Sequence, residues 1–144
     1  PIHAPSDRLM ADRHWGNRCA HAYAWKTVKD SGAALIFGSD APVESPNPYW
    51  GLQAALSRKM NGAGLDVPGW YPQLCLPLEE ALQAYIAQPQ VCAGKSSRLG
   101  MLAPDNLADL VVFSKDLFQV NTDEISRIKP DAVMSDGNWV VRRF

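Results

Sequence analysis

The sequence predicts an α/β fold in which helices and a buried strand precede a small β-rich section. Residues 33–38, Ala-Ala-Leu-Ile-Phe-Gly, are a short apolar run after the helix stop at Gly32, which favours a strand buried on both faces of a parallel sheet. Residues 78–86 place apolar side chains on one face of an amphipathic helix. Residues 109–113 are typical of a strand, and residues 132–142 are typical of a hairpin with an Asp-Gly turn.

Capping residues define the other predicted helices. Ser6 is a candidate N-cap for a short helix that ends at Gly16, and residues 18–31 have the spacing of a second helix. Asn47 followed by proline is a favourable start for a helix over residues 48–60.

The stretch between residues 62 and 77 has neither helical nor strand periodicity. Connections of this length are more often functional loops or lids than plain linkers. We therefore expect an irregular segment there.

Composition and charge exclude several classes of protein. The 144 residues are 47% hydrophobic and 20% charged, which is typical of a globular protein rather than a disordered one. A net charge of -1 without a Lys/Arg run gives no support for binding to nucleic acid or to an anionic membrane. No apolar stretch approaches the roughly 20 residues that a membrane helix needs.

The cysteines and the first residue bear on the compartment and on completeness. Cys19, Cys75 and Cys92 are odd in number and form no CxxC pair, so we expect reduced thiols in a cytoplasmic protein. The chain begins with Pro1 rather than methionine, and we expect a fragment of a longer protein.

Asp40 is the strongest candidate for a catalytic residue. It directly follows the predicted buried strand, and catalytic groups gather at the carboxyl ends of parallel strands. A carboxylate there can bind a divalent metal or take a proton from a water that the metal has acidified. The alternative is that Asp40 caps the loop by accepting a hydrogen bond from the backbone of Ala41 or Val43. The local pattern leaves both alternatives open.

His3 is the second candidate metal ligand. Imidazole suits zinc and other first-row metals, and Asp7 could orient the ring as a hydrogen-bond partner. A lone histidine near a chain end is also often incidental, so that alternative stays open. His14 and His21 are expected at surface or packing positions.

Arg18, Tyr23 and Trp25 are candidate substrate-binding residues. Arginine binds carboxylates through two parallel hydrogen bonds, and aromatic rings supply apolar pocket walls. The alternative is that Tyr23 and Trp25 belong to the core and Arg18 to a solvated face.

A series of motifs runs through the chain in a fixed order. These are residues 22–26 (Ala-Tyr-Ala-Trp-Lys), 37–43 (Phe-Gly-Ser-Asp-Ala-Pro-Val), 51–55 (Gly-Leu-Gln-Ala-Ala), 78–82 (Leu-Glu-Glu-Ala-Leu) and 108–112 (Ala-Asp-Leu-Val-Val). The ordered set resembles the YtcJ-like branch of the amidohydrolase superfamily (amidohydrolase family 3). The resemblance covers nearly the whole chain, and the set is more specific than any one motif.

The resemblance implies a fold and a domain division. Such enzymes are built on a metal-binding (β/α) barrel with a small β-sandwich formed by both chain ends. Residues 1–100 are then expected to be the last strands and helices of the barrel. Residues 101–144 are expected to be the C-terminal part of the small β-sandwich domain.

The resemblance also implies an activity and a set of ligands. Such enzymes hydrolyse amide-type C–N bonds of small molecules through a metal-activated water, with one or two divalent metals, and zinc is the metal expected here. Asp40 matches the aspartate after the last barrel strand, a metal ligand and general base. His3 matches the histidine at the end of the sixth strand, also a metal ligand. The family's His-x-His motif, bridging lysine and fifth-strand histidine have no counterpart in this sequence.

Two expectations about the isolated chain follow from that partial match. Because catalytic sites usually use three or more protein ligands, the chain alone is expected to be inactive and to hold a metal weakly or not at all. Its expected partner is the N-terminal remainder of the same protein or a second copy. The alternative is a stand-alone, non-catalytic module that self-associates through the strand edges and apolar faces of a partial barrel.

Overall fold

The computed structural model describes residues 1–64 and 66–144 of the chain. The helices and strands among these residues are α1 (His3–Ser6), α2 (Arg8–Trp15), α3 (Trp25–Asp30), α4 (Pro48–Ser57), α5 (Leu78–Tyr85), α6 (Ala87–Cys92), β1 (Leu110–Phe113), β2 (Pro130–Ser135) and β3 (Asn138–Arg142). Short 3-10 segments occupy Gly16–His21, Pro72–Leu74 and Thr122–Arg127. This mixture of helices and strands is consistent with the predicted α/β class.

The N-terminal helices are more interrupted than predicted. The short helix that ends at Gly16 is confirmed as α2, but Ser6 does not cap it, because its hydroxyl donates to the carboxylate of Glu44 instead. The single predicted helix over residues 18–31 is wrong. It begins as a 3-10 segment, and Tyr23 then takes a left-handed backbone conformation with a φ of 51° that separates this segment from α3.

The predicted buried strand over residues 33–38 is also wrong. Within the described part of the chain these residues form no strand, and Ile36 is 49% exposed. The N–H of Phe37 donates to the carbonyl of Ala84 in α5 at 2.9 Å, and Leu35 packs against the core. A parallel strand needs neighbouring strands to bind its backbone groups, and the described sheet lies elsewhere. The apolar run is therefore an irregular segment with one side inward.

Two helices at the centre of the fold are confirmed. Asn47 caps α4 by accepting a hydrogen bond from the N–H of Tyr49 at 3.0 Å, and the helix ends at Arg58 with a φ of 52°. α5 is amphipathic as predicted, with Ala81 and Ala84 buried, but it ends at Tyr85 and leaves Ile86 48% exposed. The two helices approach closely near Gly51, because any Cβ at that position would collide with a side chain of α5.

The predicted hairpin and the strand before it are confirmed. β2 pairs antiparallel with both β1 and β3, so that Val133 lies opposite Val111 on one side and Val141 on the other. Asp136 and Gly137 form the turn with φ values of 47° and 76°, as a two-residue hairpin turn of the primed type requires.

The hydrophobic core joins the helices to the C-terminal part of the chain. The 3-10 segment Thr122–Arg127 packs on α4. Buried members of the core come from both parts: Ala11, Cys19, Trp25, Leu52, Ala55, Trp70, Leu76, Ala81, Leu117, Ile125 and Ile128. The C-terminal residues therefore complete the core that the helices begin.

The helices α1 and α6 were not predicted, and one predicted segment is only partly described. α6 buries none of its residues, so it lacks the apolar stripe that marks a helix in a sequence. The irregular connection predicted over residues 62–77 includes Leu65, which lies outside the described residues. Its described part contains a 3-10 turn and the buried Trp70.

The three cysteines are unpaired, and the described helices are short. Cys19, Cys75 and Cys92 are free thiols with buried, intermediate and exposed side chains respectively. Among the described residues, no helix combines the length and the apolar character needed to cross a bilayer.

Candidate functional site

The fold brings His3 and Asp40 into direct contact. His3 lies at the start of α1, and Asp40 follows the apolar segment 33–38. His3 Nε2 is 3.1 Å from Asp40 Oδ2. The side chain of His3 is 29% exposed and that of Asp40 is 68% exposed, so the pair is open to solvent on the Asp40 side.

Two more carboxylates lie on the opposite side of the imidazole. His3 Nδ1 is 3.5 Å from Glu44 Oε1 and 3.7 Å from Asp7 Oδ2. We call His3, Asp7, Asp40 and Glu44 the histidine–carboxylate cluster. Three carboxylates therefore lie within 3.7 Å of one imidazole.

The cluster surrounds the imidazole ring rather than converging on one point, because the two ring nitrogens face in different directions. Accordingly, no group of three or more His, Cys, Asp or Glu side chains is arranged to hold a metal ion in residues 1–64 and 66–144. The cluster offers a nitrogen and an oxygen donor at His3 and Asp40. It does not offer a complete ligand set.

The loop around Asp40 leaves the carboxylate free for this contact. Asp40 has a φ of 57°, which aspartate tolerates better than most residues do. The N–H of Ala41 donates to Ser39 Oγ at 3.3 Å, and the N–H of Val43 donates to the backbone carbonyl of Asp40 at 2.9 Å. The side chain of Asp40 contacts His3 instead of capping its own loop.

Tyr23 reaches the cluster through Asp7. Its hydroxyl donates to Asp7 Oδ2 at 2.6 Å. Burial, together with the hydrogen bond and charge of Asp7, raises the pKa of Tyr23 to about 12, so the phenol stays a neutral donor at physiological pH. The same Oδ2 atom faces His3 Nδ1, which makes Tyr23, Asp7, His3 and Asp40 a connected row.

Behind Tyr23 lies a buried arginine that sequence reasoning did not single out as functional. Arg58 is 1% exposed, and its guanidinium donates to the carbonyls of Trp70, of Tyr23 at 2.7 Å and of Ala22 at 3.2 Å. It also lies over the rings of Trp25 at 4.7 Å and Trp70 at 5.2 Å. We call this arginine, its three carbonyl acceptors and the two rings the Arg58 clamp. Backbone acceptors carry no residue-type signal, so no motif indicates it.

The other predicted substrate-binding residues have different surroundings. Trp25 is 8% exposed and packs in the core against Phe37, with ring centroids 6.2 Å apart. Arg18 is exposed and donates through Nε to the carbonyl of Trp15 at 3.4 Å. Of the three predicted residues, Tyr23 is the one that contacts the cluster.

A groove of about 300 Å³ opens beside the cluster. Its lining is mostly apolar and consists of Asp7, Met10, Ala11, His14, Trp15 and Tyr23. Asp7 and Tyr23 thus belong both to the groove and to the row that ends at Asp40.

A histidine and an aspartate that meet after an apolar segment fit the class of protein that the ordered motifs indicate. The chain belongs to the amidohydrolase family, whose sequence pattern matches residues 1–141.

Individual relatives place the chain within that family. YtcJ of Bacillus subtilis (strain 168), which carries an amidohydrolase name, is 30% identical over 134 residues, which are 93% of this chain and 25% of YtcJ. LONG AFTER FAR-RED 3 of Arabidopsis thaliana is 27% identical over 88% of this chain and 21% of its own length. N-substituted formamide deformylase of Arthrobacter pascens is 26% identical over 78% of this chain and 20% of its own length.

The chain therefore spans a quarter or less of the length of these relatives, between 20% and 25%. No solved structure matches it.

Proposed function

We propose that this chain carries part of the active site of a metal-dependent amidohydrolase that cleaves non-peptide C–N bonds in small amide-type substrates. Family membership supports the hydrolase class, and the relative named as a formamide deformylase supports an amide-type substrate. The observation that carries the proposal is the 3.1 Å contact between His3 and Asp40, which unites two residues 37 positions apart in the chain.

His3 and Asp40 are the proposed ligands of a divalent metal, with zinc as the first candidate. Imidazole nitrogen and carboxylate oxygen are donors that zinc and other first-row metals accept. When bound, the metal supplies the positive charge that polarises a substrate carbonyl and acidifies a water. Two residues are fewer than the three protein ligands of a typical catalytic site, so we propose that the chain alone binds metal weakly and is inactive.

Asp40 is also the proposed proton carrier. Because its side chain is 68% exposed, water and substrate can reach the carboxylate. It would take a proton at a carboxylate oxygen and deliver it to the leaving nitrogen. His3 orients Oδ2 for this task, while Asp7 and Glu44 hold the imidazole from its Nδ1 side.

Substrate binding is proposed for the groove that begins at Asp7 and Tyr23. Its apolar lining suits a hydrocarbon substituent of the amide, and Tyr23 supplies a neutral hydroxyl at the inner end. Arg18 and Trp25 remain candidates for a supporting role, from the exposed surface and from the core respectively.

The surroundings of the chain are also proposals. Residues 1–100, which form helices and irregular segments in the isolated chain, would belong to the last part of a (β/α) barrel in the intact protein, and residues 101–144 to a part of a β-sandwich. The partner would be the N-terminal portion of the same protein, in line with the fraction of each relative that the chain matches. Three free thiols support a reducing compartment such as the cytoplasm.

A zinc titration of the purified chain, followed by ¹⁵N shifts of the three histidines, tests the proposed ligands. We expect the His3 resonances to move at millimolar zinc and the response to weaken at least tenfold in Asp40→Asn. His14→Ala and Asp105→Asn, at exposed positions, are matched controls that should leave the response of His3 intact. An unchanged response in Asp40→Asn would contradict the proposed pair.

A self-associating, non-catalytic module is the second candidate function. Large apolar side chains are exposed on several elements: Leu9 at 83%, Leu102 at 75%, Phe118 at 65% and Val140 at 67%. Surfaces of this kind favour association between copies. Sedimentation velocity separates the candidates, since a stable oligomer that binds no zinc supports the module and a zinc-responsive monomer supports the hydrolase fragment.

A further inference from the structure

We infer that Arg58 is a positioning residue for the histidine–carboxylate cluster and that it acts through the backbone and the ring of Tyr23. The inference deepens the proposed function and rests on it for its catalytic meaning. Arg58, which is buried, would thereby fix the position of the Asp7 carboxylate relative to the imidazole of His3.

Arg58 first holds the backbone of Tyr23. A tyrosine seldom takes a positive φ, so the value of 51° persists because the surroundings hold it. The carbonyls of Ala22 and Tyr23 lie on either side of this residue's φ and ψ bonds, and both accept hydrogen bonds from Arg58. Arg58 thus fixes the peptide groups that determine which way Tyr23 points.

Arg58 also holds the ring of Tyr23, through Trp70. The carbonyl of Trp70 accepts a hydrogen bond from Arg58 Nε, and the centroid of the Trp70 ring lies 5.2 Å from the guanidinium carbon. The Trp70 ring also packs against that of Tyr23, with centroids 6.1 Å apart, and its Nε1 donates to Asp12 at 2.9 Å. The Arg58 clamp therefore restrains both ends of the tyrosine.

Tyr23 in turn contacts the cluster. The hydroxyl donates to Asp7 Oδ2 at 2.6 Å, and that atom is 3.7 Å from His3 Nδ1. A shift of the tyrosine would release Asp7, which is 41% exposed and free to turn to solvent. His3 would then lose one of the two carboxylates on its Nδ1 side.

The chemistry of the guanidinium explains why this position requires arginine. Its planar fork of donors reaches three carbonyls at once and stacks on aromatic faces, whereas a lysine ammonium is a point donor on a flexible stem. An arginine that served stability alone would stabilise the core without controlling the phenol of Tyr23. The two roles therefore predict different results when the arginine is changed.

The test uses the 144-residue chain with ¹³Cζ-labelled tyrosine and ¹⁵N-labelled histidine. In the wild type we expect Tyr23 to ionise near its raised pKa of about 12. In Arg58→Lys and in Asp7→Asn we expect that pKa to fall towards the ordinary value of 10.0, an increase of up to about a hundredfold in the ionisation constant. Tyr85, whose pKa burial also raises to about 12, is the internal control and should not move.

The histidine signals test the last step of the chain of contacts. At neutral pH, Arg58→Lys, Tyr23→Phe and Asp7→Asn should shift the His3 ring nitrogens in the same direction, and Arg18→Lys should not. A folded Arg58→Lys variant with unchanged Tyr23 and His3 signals would overturn the inference. So would a variant in which Tyr23 and Tyr85 change together, because that result reports general loosening.

Should Arg58→Lys fail to fold, Trp70→Leu replaces it. This variant keeps the backbone carbonyl but removes the ring that packs on Tyr23, and we expect a smaller shift of the same sign. Unchanged Tyr23 and His3 signals in folded Trp70→Leu also overturn the inference. These measurements need neither metal nor substrate, so their failure is distinct from a failure of the zinc titration.

Discussion

The Arg58 clamp and residues 33–40 each lead to a carboxylate beside His3, but the two regions are buried to opposite degrees. The clamp buries a charged side chain to 1% exposure and leads through Tyr23 to Asp7. The segment leaves Ile36 49% exposed and leads directly to Asp40. The charged guanidinium of Arg58 is therefore buried, while Ile36 of an apolar segment is half exposed to solvent.

The difference shows that satisfied hydrogen bonds, rather than polarity alone, decide what is buried. Each nitrogen of the guanidinium donates to a carbonyl and the group lies over two aromatic rings, so much of the cost of removing it from water is compensated. The apolar run has no neighbouring strand among the described residues, so one of its sides faces solvent. Asp7 is therefore held through Tyr23 and the Arg58 clamp, whereas Asp40 is carried by an open loop.

Loss of the clamp is expected to have the largest effect on stability. Arg58→Met leaves three carbonyls, two of them in buried hydrogen bonds, without their donor, and we expect the free energy of unfolding to fall by about 3 kcal/mol or more. Urea denaturation measures this effect. Arg18→Met, at an exposed arginine, should change stability by less than about 0.5 kcal/mol, and equal losses in the two variants would refute the distinction.

Side-chain truncation compares the two regions directly. Leu52→Ala removes a side chain that is 4% exposed and should cost about 3 kcal/mol, whereas Ile36→Ala should cost less than about 1 kcal/mol. If Ile36→Ala costs as much as Leu52→Ala, the segment is covered in solution. A dependence of the unfolding midpoint on protein concentration would then show that a second copy covers it.

A smaller effect is expected where the clamp meets the connection that carries Trp70. A Cβ at Gly69 would collide with the carbonyl oxygen of Ser57, so Gly69→Ala should cost about 2 kcal/mol. A methyl group added at Gly64 would meet no heavy atom within 4 Å, and Gly64→Ala should be neutral or slightly stabilising. Thermal unfolding of the two variants side by side measures the contrast, and matching midpoints would remove the case for close approach at Gly69.

The features predicted correctly from the sequence are those that depend on neighbouring residues. The Asn47 cap, the amphipathic pattern of α5 and the Asp136-Gly137 turn are each specified within a few positions, and all three are confirmed. The strand over residues 33–38 failed because apolar composition does not say whether a partner strand is present. The helix over residues 18–31 failed because tertiary bonds to Arg58 favour a left-handed Tyr23.

The candidate site was predictable only in part. The residue types of His3 and Asp40 mark them as candidate ligands, and the family resemblance implies that the two belong to one site. Glu44 was not predicted, because a carboxylate in a loop has no pattern that points to an imidazole 41 positions earlier. Arg58 was not predicted as a positioning residue for a similar reason, since its acceptors are backbone atoms from distant segments.

The graded burial of the three cysteines has a practical consequence. Only a thiolate attacks an alkylating reagent, and burial raises the pKa of the Cys75 thiol. A maleimide should therefore modify exposed Cys92 first, Cys75 more slowly, and Cys19 only when the core between α2 and α3 opens. The three modification rates, measured by mass spectrometry, report how often the surroundings of each cysteine open to solvent.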